Sequence, residues 1–263
     1  ALIRVCETHI RFGHFEYCFH QGSKADLDKM LAFTLEHHYP ELVEQPDACF
    51  FQQVVNDTAK LIGLWQAFGF CHGVMNTDNM SIKGITFDFG PFAMMDDYDP
   101  EYICNHTDQG GRYRFSQQPA VGLWNLNMLA YALSDKLTVE ELRACLREYQ
   151  PCLETCYMET LGQRFGLSSM QQGDETLIGE FLNLLRMEKQ DFNLSFRVLS
   201  SANTAEETDV FNQQFGESSK IHTWLKQYKV RLQLEQRNTQ DRKIAMDKVN
   251  PLYVPRNYIL NQV

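Results

Sequence analysis

Two polar residues, Asn79 and Asp88, frame the stretch that most constrains how this chain can fold. Between them lie two β-prone triplets, residues 80–82 and 85–87, separated by a Lys-Gly pair. Because glycine adopts the backbone conformations of tight turns, this pattern predicts a small β-hairpin. The hairpin would bring both oxygen-bearing side chains to one end, where they suit a divalent ion that bridges nucleotide phosphates.

The same stretch follows the kinase catalytic-loop pattern His-x-Asp-x-x-x-x-Asn, with His72 and Asn79 at the outer positions. Val74 stands where the catalytic Asp belongs, and an aliphatic side chain cannot accept a proton. Asp78 offers a carboxylate in the same loop and is the candidate base. Asp88 begins an Asp-Phe-Gly triplet of the metal-binding type. The motif alone leaves open a surface hairpin whose Asx side chains only make turn hydrogen bonds.

Several longer motifs run in order along the chain. They are Arg4-Val5, Ile10-Arg11-Phe12-Gly13-His14-Phe15-Glu16, the loop from His72 to Ile82, Phe87-Asp88-Phe89-Gly90-Pro91-Phe92, Met95-Asp96-x-Tyr98-x-Pro100, Asp108-x-x-Gly111-Arg112-Tyr113, Asn250-Pro251 and Pro255-Arg256-Asn257-Tyr258. This set resembles the selenoprotein O (SelO) family. The resemblance implies a protein-kinase-like fold that transfers AMP, rather than phosphate, from ATP to protein hydroxyls.

The resemblance also implies a role for individual residues. Asp78 matches the proton acceptor of the family, Asn79 and Asp88 match its magnesium ligands, and Arg4 and Arg11 match its nucleotide-phosphate contacts. Asp88 thereby also belongs to the nucleotide site. The expected ligands are ATP as substrate and Mg²⁺, or Mn²⁺ in its place. Without the resemblance, each of the two Arg residues is interpreted as solvated surface charge.

The apolar spacing predicts a mainly α fold. The resemblance places residues 1–263 in the large, carboxy-terminal lobe of a protein-kinase-like domain, with a small catalytic β-hairpin within 72–92. It implies that the amino-terminal lobe and the carboxy-terminal end of the family lie outside this chain, so we expect the fragment alone to be inactive. Helices are predicted from Ser23 to Tyr39, from Asp47 to Phe68, over 119–133, from Thr138 to Gly166, from Asp174, from Asp191, from Trp224 to Arg237 and over 242–249.

Two further expectations concern the second half of the chain. Residues 200–217 are rich in Ser, Asn, Thr and Glu and are predicted to form a flexible connection. The Lys and Arg side chains of the helix from Trp224 to Arg237 are predicted to form a solvated face.

Charge and composition restrict the partners. The net charge of −10 argues against nucleic acid, whose affinity depends on Lys and Arg. No apolar run approaches the length of about 20 residues that crosses a bilayer, and the first residues lack a signal-peptide pattern. The eight Cys form no C-x-x-C motif, which favours free thiols in a reducing compartment. These features predict a soluble protein, which we expect to be an intracellular monomer, cytoplasmic if bacterial and mitochondrial if eukaryotic. The resemblance implies that its partners are ATP and hydroxyl-bearing proteins.

Three functions remain in view. The first is a protein adenylyltransferase acting on Ser, Thr or Tyr hydroxyls. The second is a small-molecule phosphotransferase of kinase-like fold, which shares the His-Gly start and the late Asp but is disfavoured by Val74. The third is a non-catalytic pseudokinase scaffold that binds partners through its helices.

Overall fold

The computed structural model describes residues 5–216 and 218–260, so Arg4 lies outside the described residues. The chain is mainly helical, which confirms the predicted class. The helices are α1 (Phe12–His20), α2 (Lys24–His38), α3 (Asp47–Phe68), α4 (Gln118–Ala132), α5 (Val139–Arg147), α6 (Tyr149–Arg164), α7 (Asp174–Met187), α8 (Phe192–Leu199), α9 (Glu207–Phe215), α10 (Ser219–Leu232), α11 (Thr239–Val249) and α12 (Asn257–Leu260). Single 3-10 turns occupy Pro40–Leu42, Thr77–Asn79 and Phe115–Gln117. Two short antiparallel strands, β1 (Phe70–Cys71) and β2 (Ala93–Met94), pair with each other. Over residues 5–216 and 218–260, no helix combines the length and the hydrophobicity of a membrane-spanning segment.

Local capping explains where several helices begin. Ser23 and Asp26 form a reciprocal capping box at the start of α2, and Thr138 and Glu141 do the same at α5. The Asp191 side chain accepts a hydrogen bond from Leu194 N at the start of α8. Each cap satisfies backbone N–H groups that have no partner within the helix. These predicted helix starts are confirmed, as are both ends of α3.

The helix predicted from Thr138 to Gly166 is divided into α5 and α6, with Glu148 between them. Pro151 lies in the first turn of α6, where the missing N–H is tolerated. Further into a continuous helix its ring would clash with the carbonyl four residues back. Gly166 follows α6 with φ of +72°, so the predicted C-cap glycine is confirmed.

The flexible connection predicted for residues 200–217 was wrong over Glu207–Phe215, which forms α9. Phe211 and Phe215 lie four residues apart and are both buried. Two aromatic side chains at this spacing share one helix face, so their packing outweighs the polar composition of the segment.

The chain forms two compact units. The first contains the described residues up to Trp65 together with His72–Phe92 and Ile103–Cys156, and the second contains Gln66–Cys71, Ala93–Tyr102 and the described residues from Tyr157 onward. In the first unit, α1 packs against α2, α4 and the turn Thr77–Asn79. All four described candidate site residues therefore belong to the first unit.

The core of the second unit surrounds a buried cation, Arg164. Its Nε donates to Asn250 Oδ1 at 2.9 Å and its Nη2 donates to Asn193 Oδ1 at 3.0 Å. The guanidinium carbon lies 3.8 Å from the ring centroid of Phe196. Burial lowers the pKa of the guanidinium to about 9. Amide oxygens and an aromatic face thus take the place of water around this charge.

The predicted solvated basic face was wrong for Arg231, which is buried. Its Nε donates to Asp174 Oδ1 at 2.6 Å, and its Nη1 donates to Glu235 Oε1 at 2.7 Å. Burial by itself raises the pKa of the Glu235 carboxyl, but hydrogen bonds from Ser168 and Arg231 lower it below its ordinary value. Arg231 lies on the packed side of the helix, and the two carboxylates that it meets there offset the cost of burying its charge.

Two motifs far apart in sequence also meet in the second unit. Arg256 Nη1 lies 2.7 Å from Asp96 Oδ1, and its Nη2 lies 2.5 Å from Asp191 Oδ2. The Tyr258 hydroxyl donates to Asp96 Oδ1 at 3.3 Å. This ion-pair network joins the segment after β2 to the start of α8 and to the last described residues.

Candidate active site

The loop that follows β1 is held in place by amide side chains from the region 105–125. These side chains bond three residues of the loop, so that a backbone polar group of each is satisfied without regular secondary structure. The bonds are His72 N to Gln118 Oε1 at 2.8 Å, Asn105 Nδ2 to Gly73 O at 3.1 Å and Asn125 Nδ2 to Met75 O at 2.8 Å. Sequence reasoning missed all three amides. The available signal was the seven-residue spacing of Gln118 and Asn125, which places both on one face of α4.

A chain of hydrogen bonds through His72 connects Asn79 with the residue that precedes Asp88. Asn79 Nδ2 donates to Val74 O at 2.9 Å, and Val74 N donates to His72 Nδ1 at 3.4 Å. His72 Nε2 lies 3.1 Å from the carbonyl oxygen of Phe87, the residue before Asp88. Because Nδ1 accepts, Nε2 carries the proton and donates. Burial lowers the pKa of His72, which favours this neutral form.

The predicted hairpin pairing was wrong. Residues 80–82 do not pair with 85–87; an antiparallel bridge joins Ser81 to Arg11 instead. Gly84 does form a turn, with φ of +58°. A short extended segment pairs with whichever backbone the fold brings beside it, and here that backbone comes from the beginning of the chain. The result is that Arg11 lies beside the residues following Asn79.

Arg11 presents a cation to this region. Its Cζ lies 5.0 Å from the ring centroid of Phe87, and its backbone bridges Ser81. Its Nε is buried without a hydrogen-bond partner in the described part of the chain. Within that same part, no carboxylate forms an ion pair with Arg11. A guanidinium in this setting is suited to an oxyanion supplied from outside.

Asp88 has an unusual backbone. Its φ is +60°, and its carbonyl accepts a hydrogen bond from Gly90 N at 2.8 Å. Asp is among the residues that tolerate the left-handed region, at a cost of about 1–2 kcal/mol. The side chain is exposed. A strained backbone under an exposed carboxylate is the kind of outlier that accumulates at functional sites.

Asp78 lies in the 3-10 turn Thr77–Asn79 and is exposed. Asn76 precedes this turn, and its Oδ1 accepts a hydrogen bond from the Tyr113 hydroxyl at 2.5 Å. Asp108 holds the backbone of the Tyr113 segment, because its Oδ2 accepts from Tyr113 N at 2.8 Å. The motif containing Tyr113 therefore supports the turn that carries the candidate base, a contact that sequence reasoning missed.

Asn79 and Asp88 carry the donor types that a magnesium ion uses when it shares its coordination with phosphates. Asn79 contributes an amide oxygen whose partner nitrogen is already bonded, and Asp88 contributes a carboxylate. Both are hard oxygen ligands, and Mg²⁺ usually takes only one or two protein oxygens beside substrate phosphates and water. Over residues 5–216 and 218–260, no group of three or more His, Cys, Asp or Glu residues could hold a metal ion. The fit is therefore to a shared site rather than to a cage made by the protein alone.

The chain is thus a mainly helical protein in which a hydrogen-bonded loop carries the carboxylate of Asp78 and the amide of Asn79. The backbone before Asp88 contacts His72 of this loop, and the backbone of Arg11 bridges Ser81 just after it. A family profile described as "Protein adenylyltransferase SelO" matches residues 1–263. The chain belongs to the SelO family. The resemblance noted from its motifs is confirmed.

Bacterial relatives agree with this assignment. The chain is similar to a protein of Pseudoalteromonas atlantica named "Protein nucleotidyltransferase YdiU". The two are 43% identical over 98% of this chain and 54% of the relative. Two further relatives have the same name. The relative from Pseudomonas aeruginosa strain LESB58 is 42% identical over 100% of this chain and 54% of its own length. The relative from Erwinia tasmaniensis is 40% identical over 99% of this chain and 55% of its own length. The chain spans about half the length of the curated relatives it matches.

Proposed function

We propose that the full-length protein transfers AMP from ATP to Ser, Thr or Tyr hydroxyls of proteins, and that this chain is the carboxy-terminal lobe of its kinase-like domain. The observation that carries the proposal is the hydrogen-bond chain through His72. It links Asn79 with the backbone beside Asp88, next to the cation of Arg11. Family membership and the nucleotidyltransferase name of the relatives support the same reaction class.

In the proposed mechanism, Asp78 removes the proton from the acceptor hydroxyl. The hydroxyl oxygen then forms a bond to the α-phosphorus, the bond to the bridging oxygen breaks, and pyrophosphate leaves. Asn79 and Asp88 would hold Mg²⁺, which when bound neutralises charge on the phosphates. Arg11, together with Arg4, would offset the remaining negative charge through guanidinium hydrogen bonds.

Val74 supports AMP transfer over ordinary phosphate transfer. It occupies the position of the kinase catalytic Asp, and the structural use of this residue is through its backbone, which contacts His72 and Asn79. Its aliphatic side chain can neither accept a proton nor orient a hydroxyl. The exposed carboxylate of Asp78 is the base that this loop offers to a hydroxyl acceptor.

Labelled ATP tests the proposal on the full-length protein. We expect label on protein from α-labelled ATP and none from γ-labelled ATP, with release of pyrophosphate. Label from the γ position alone, on protein or on a small molecule, would establish a phosphotransferase. Label from neither position, with a biological role that survives Asp88→Ala, would establish a pseudokinase.

Matched variants make the assignment residue-specific. Asp78→Asn and Asp88→Asn each remove one carboxylate with little change in volume, and we expect each to lower the rate about 100-fold or more. Asp135→Asn makes the same change at an exposed Asp between α4 and α5, and should leave the rate unchanged. Equal rates for all three variants would contradict the proposed roles.

A further inference from the structure

Gly13, the second residue of α1, lies directly against the Asp78 side chain. A Cβ atom placed on Gly13 would be 1.9 Å from Asp78 Oδ1 and 3.0 Å from its Cγ. Non-bonded heavy atoms are ordinarily about 3.5–4.0 Å apart. The carboxylate therefore occupies the volume that any side chain at position 13 would fill.

The backbone of Gly13 does not itself call for glycine. Gly13 lies within α1, and its φ is not positive. The third nearest atom to the added Cβ is Asp78 Cα, at an ordinary contact distance of 3.5 Å. Only the carboxylate stands in the way. A methyl group at position 13 is thus compatible with the two backbones and incompatible with the present position of the Asp78 side chain.

We infer that Gly13 is a positioning residue for Asp78: its missing side chain creates the space that holds the candidate base in place. The beginning of α1 also favours a carboxylate, because the helix dipole is positive there. Filling the space turns the carboxylate to another rotamer, away from the acceptor hydroxyl. The catalytic consequence rests on the proposed function, whereas the steric relation between the two residues does not.

Gly13→Ala in the full-length protein tests the inference. We expect kcat for nucleotidyl transfer to fall about 100-fold, since displacing a catalytic group by about 1 Å has effects of this size. The KM for ATP should stay the same, because Arg11, Asn79 and Asp88 are not displaced. Gly179→Ala is the control. Gly179 lies in α7 with no atom within 4 Å of an added Cβ, so its variant should retain kcat and melting temperature. An unchanged kcat in Gly13→Ala would overturn the inference.

Combining this change with Asp78→Ala separates positioning from a general packing effect. The Asp78→Ala variant has no carboxylate at this position, so the methyl group at position 13 meets no obstacle. We expect Gly13→Ala to cause no further loss of rate in the Asp78→Ala background. We also expect Gly13→Ala to lower the melting temperature less, or to raise it more, in the Asp78→Ala background than in the wild type. Equal effects of Gly13→Ala on rate and melting temperature in both backgrounds would show that Gly13 acts elsewhere.

The two readouts also distinguish failure of this inference from failure of the proposed function. If the wild type transfers no nucleotide, the proposed function fails. The melting temperatures of the wild type, Gly13→Ala, Asp78→Ala and the double variant then test the steric relation between Gly13 and Asp78. Non-additive melting temperatures would then support the steric contact, and additive ones would refute it.

Discussion

The guanidinium of Arg11 lies over the ring of Phe87, with 5.0 Å between Cζ and the ring centroid. Phe87 directly precedes Asp88, so this contact connects the candidate phosphate-binding cation with a candidate metal ligand. The cation is held by an aromatic face and a backbone bridge to Ser81. Its charge remains available to an anion.

Arg11→Met should weaken ATP binding to the full-length protein. Hydrogen bonds to charged groups contribute about 1.5–3 kcal/mol, so we expect the Kd to rise about 10-fold or more. Arg11→Lys should recover part of the affinity, because it retains the charge but not the planar fork. Calorimetry with ATP measures both. Arg143→Met, at an exposed Arg of α5, is the control. Wild-type affinity in Arg11→Met would contradict the assignment.

Tyr113→Phe should lower the rate of nucleotidyl transfer without unfolding the protein. The change removes the hydroxyl that donates to Asn76 Oδ1 and so loosens the turn carrying Asp78. Loss of one hydrogen bond of this kind costs about 0.5–1.5 kcal/mol of stability. We expect a fall in kcat of about 10-fold, measured with saturating ATP. Tyr131→Phe removes a hydroxyl from an exposed ring and should leave kcat unchanged. Similar rates for the two variants would count against a supporting role of Tyr113.

His72 should make the stability depend on pH below neutrality. Burial lowers the pKa of His72 from its ordinary value of 6.5, so the unfolded chain binds more protons than the folded one just below that pH. The free energy of unfolding therefore falls as the pH drops below about 6.5. Denaturant unfolding at about pH 7.5 and about pH 5.5 measures this slope.

His72→Gln should show a shallower slope than the wild type, by at most about 1.4 kcal/mol per pH unit. The pKa of His38 is also lowered by burial. Because His38 is present in both proteins, its contribution cancels in the comparison. A variant with the full slope of the wild type would remove His72 as the cause.

Arg231→Met should destabilise the second unit strongly. It leaves Asp174 and Glu235 buried without their cation, and breaking a buried ion pair in this way costs about 3–5 kcal/mol. Urea unfolding gives the change in free energy. Lys226→Met removes an exposed charge from the same helix and should cost much less. Equal losses in the two variants would contradict the importance of the buried network.

The parts of the fold that follow local rules could be predicted from the sequence. The Ser23 and Thr138 caps, the Asp191 start of α8 and the C-cap at Gly166 were all predictable, because each depends on partners within about four residues. The division between α5 and α6 also has a local cause in Pro151. It was missed because the apolar spacing continues across it.

The parts that depend on distant partners could not be predicted in this way. Residues 80–82 had the right composition for a strand but found their partner near Arg11, far away along the chain. From its residue type, Arg231 was expected at the surface, but in the fold it is buried in an ion pair with Asp174. Partner choice of this kind depends on which segments are brought together, and neither periodicity nor propensity contains that information.

The candidate site shows the same division. The motifs around Asp78, Asn79 and Asp88 indicate from the sequence which side chains are the candidate base and the candidate oxygen ligands. This is possible because these chemical properties belong to the residue types themselves. The three-dimensional fold alone reveals that hydrogen bonds through His72 link Asn79 with the backbone before Asp88, and that Gly13 leaves room for the Asp78 side chain. The hydrogen bonds of the His72 chain join residues at most 15 positions apart, whereas Gly13 and Asp78 are far apart in sequence. Both relations exist only once the chain has packed.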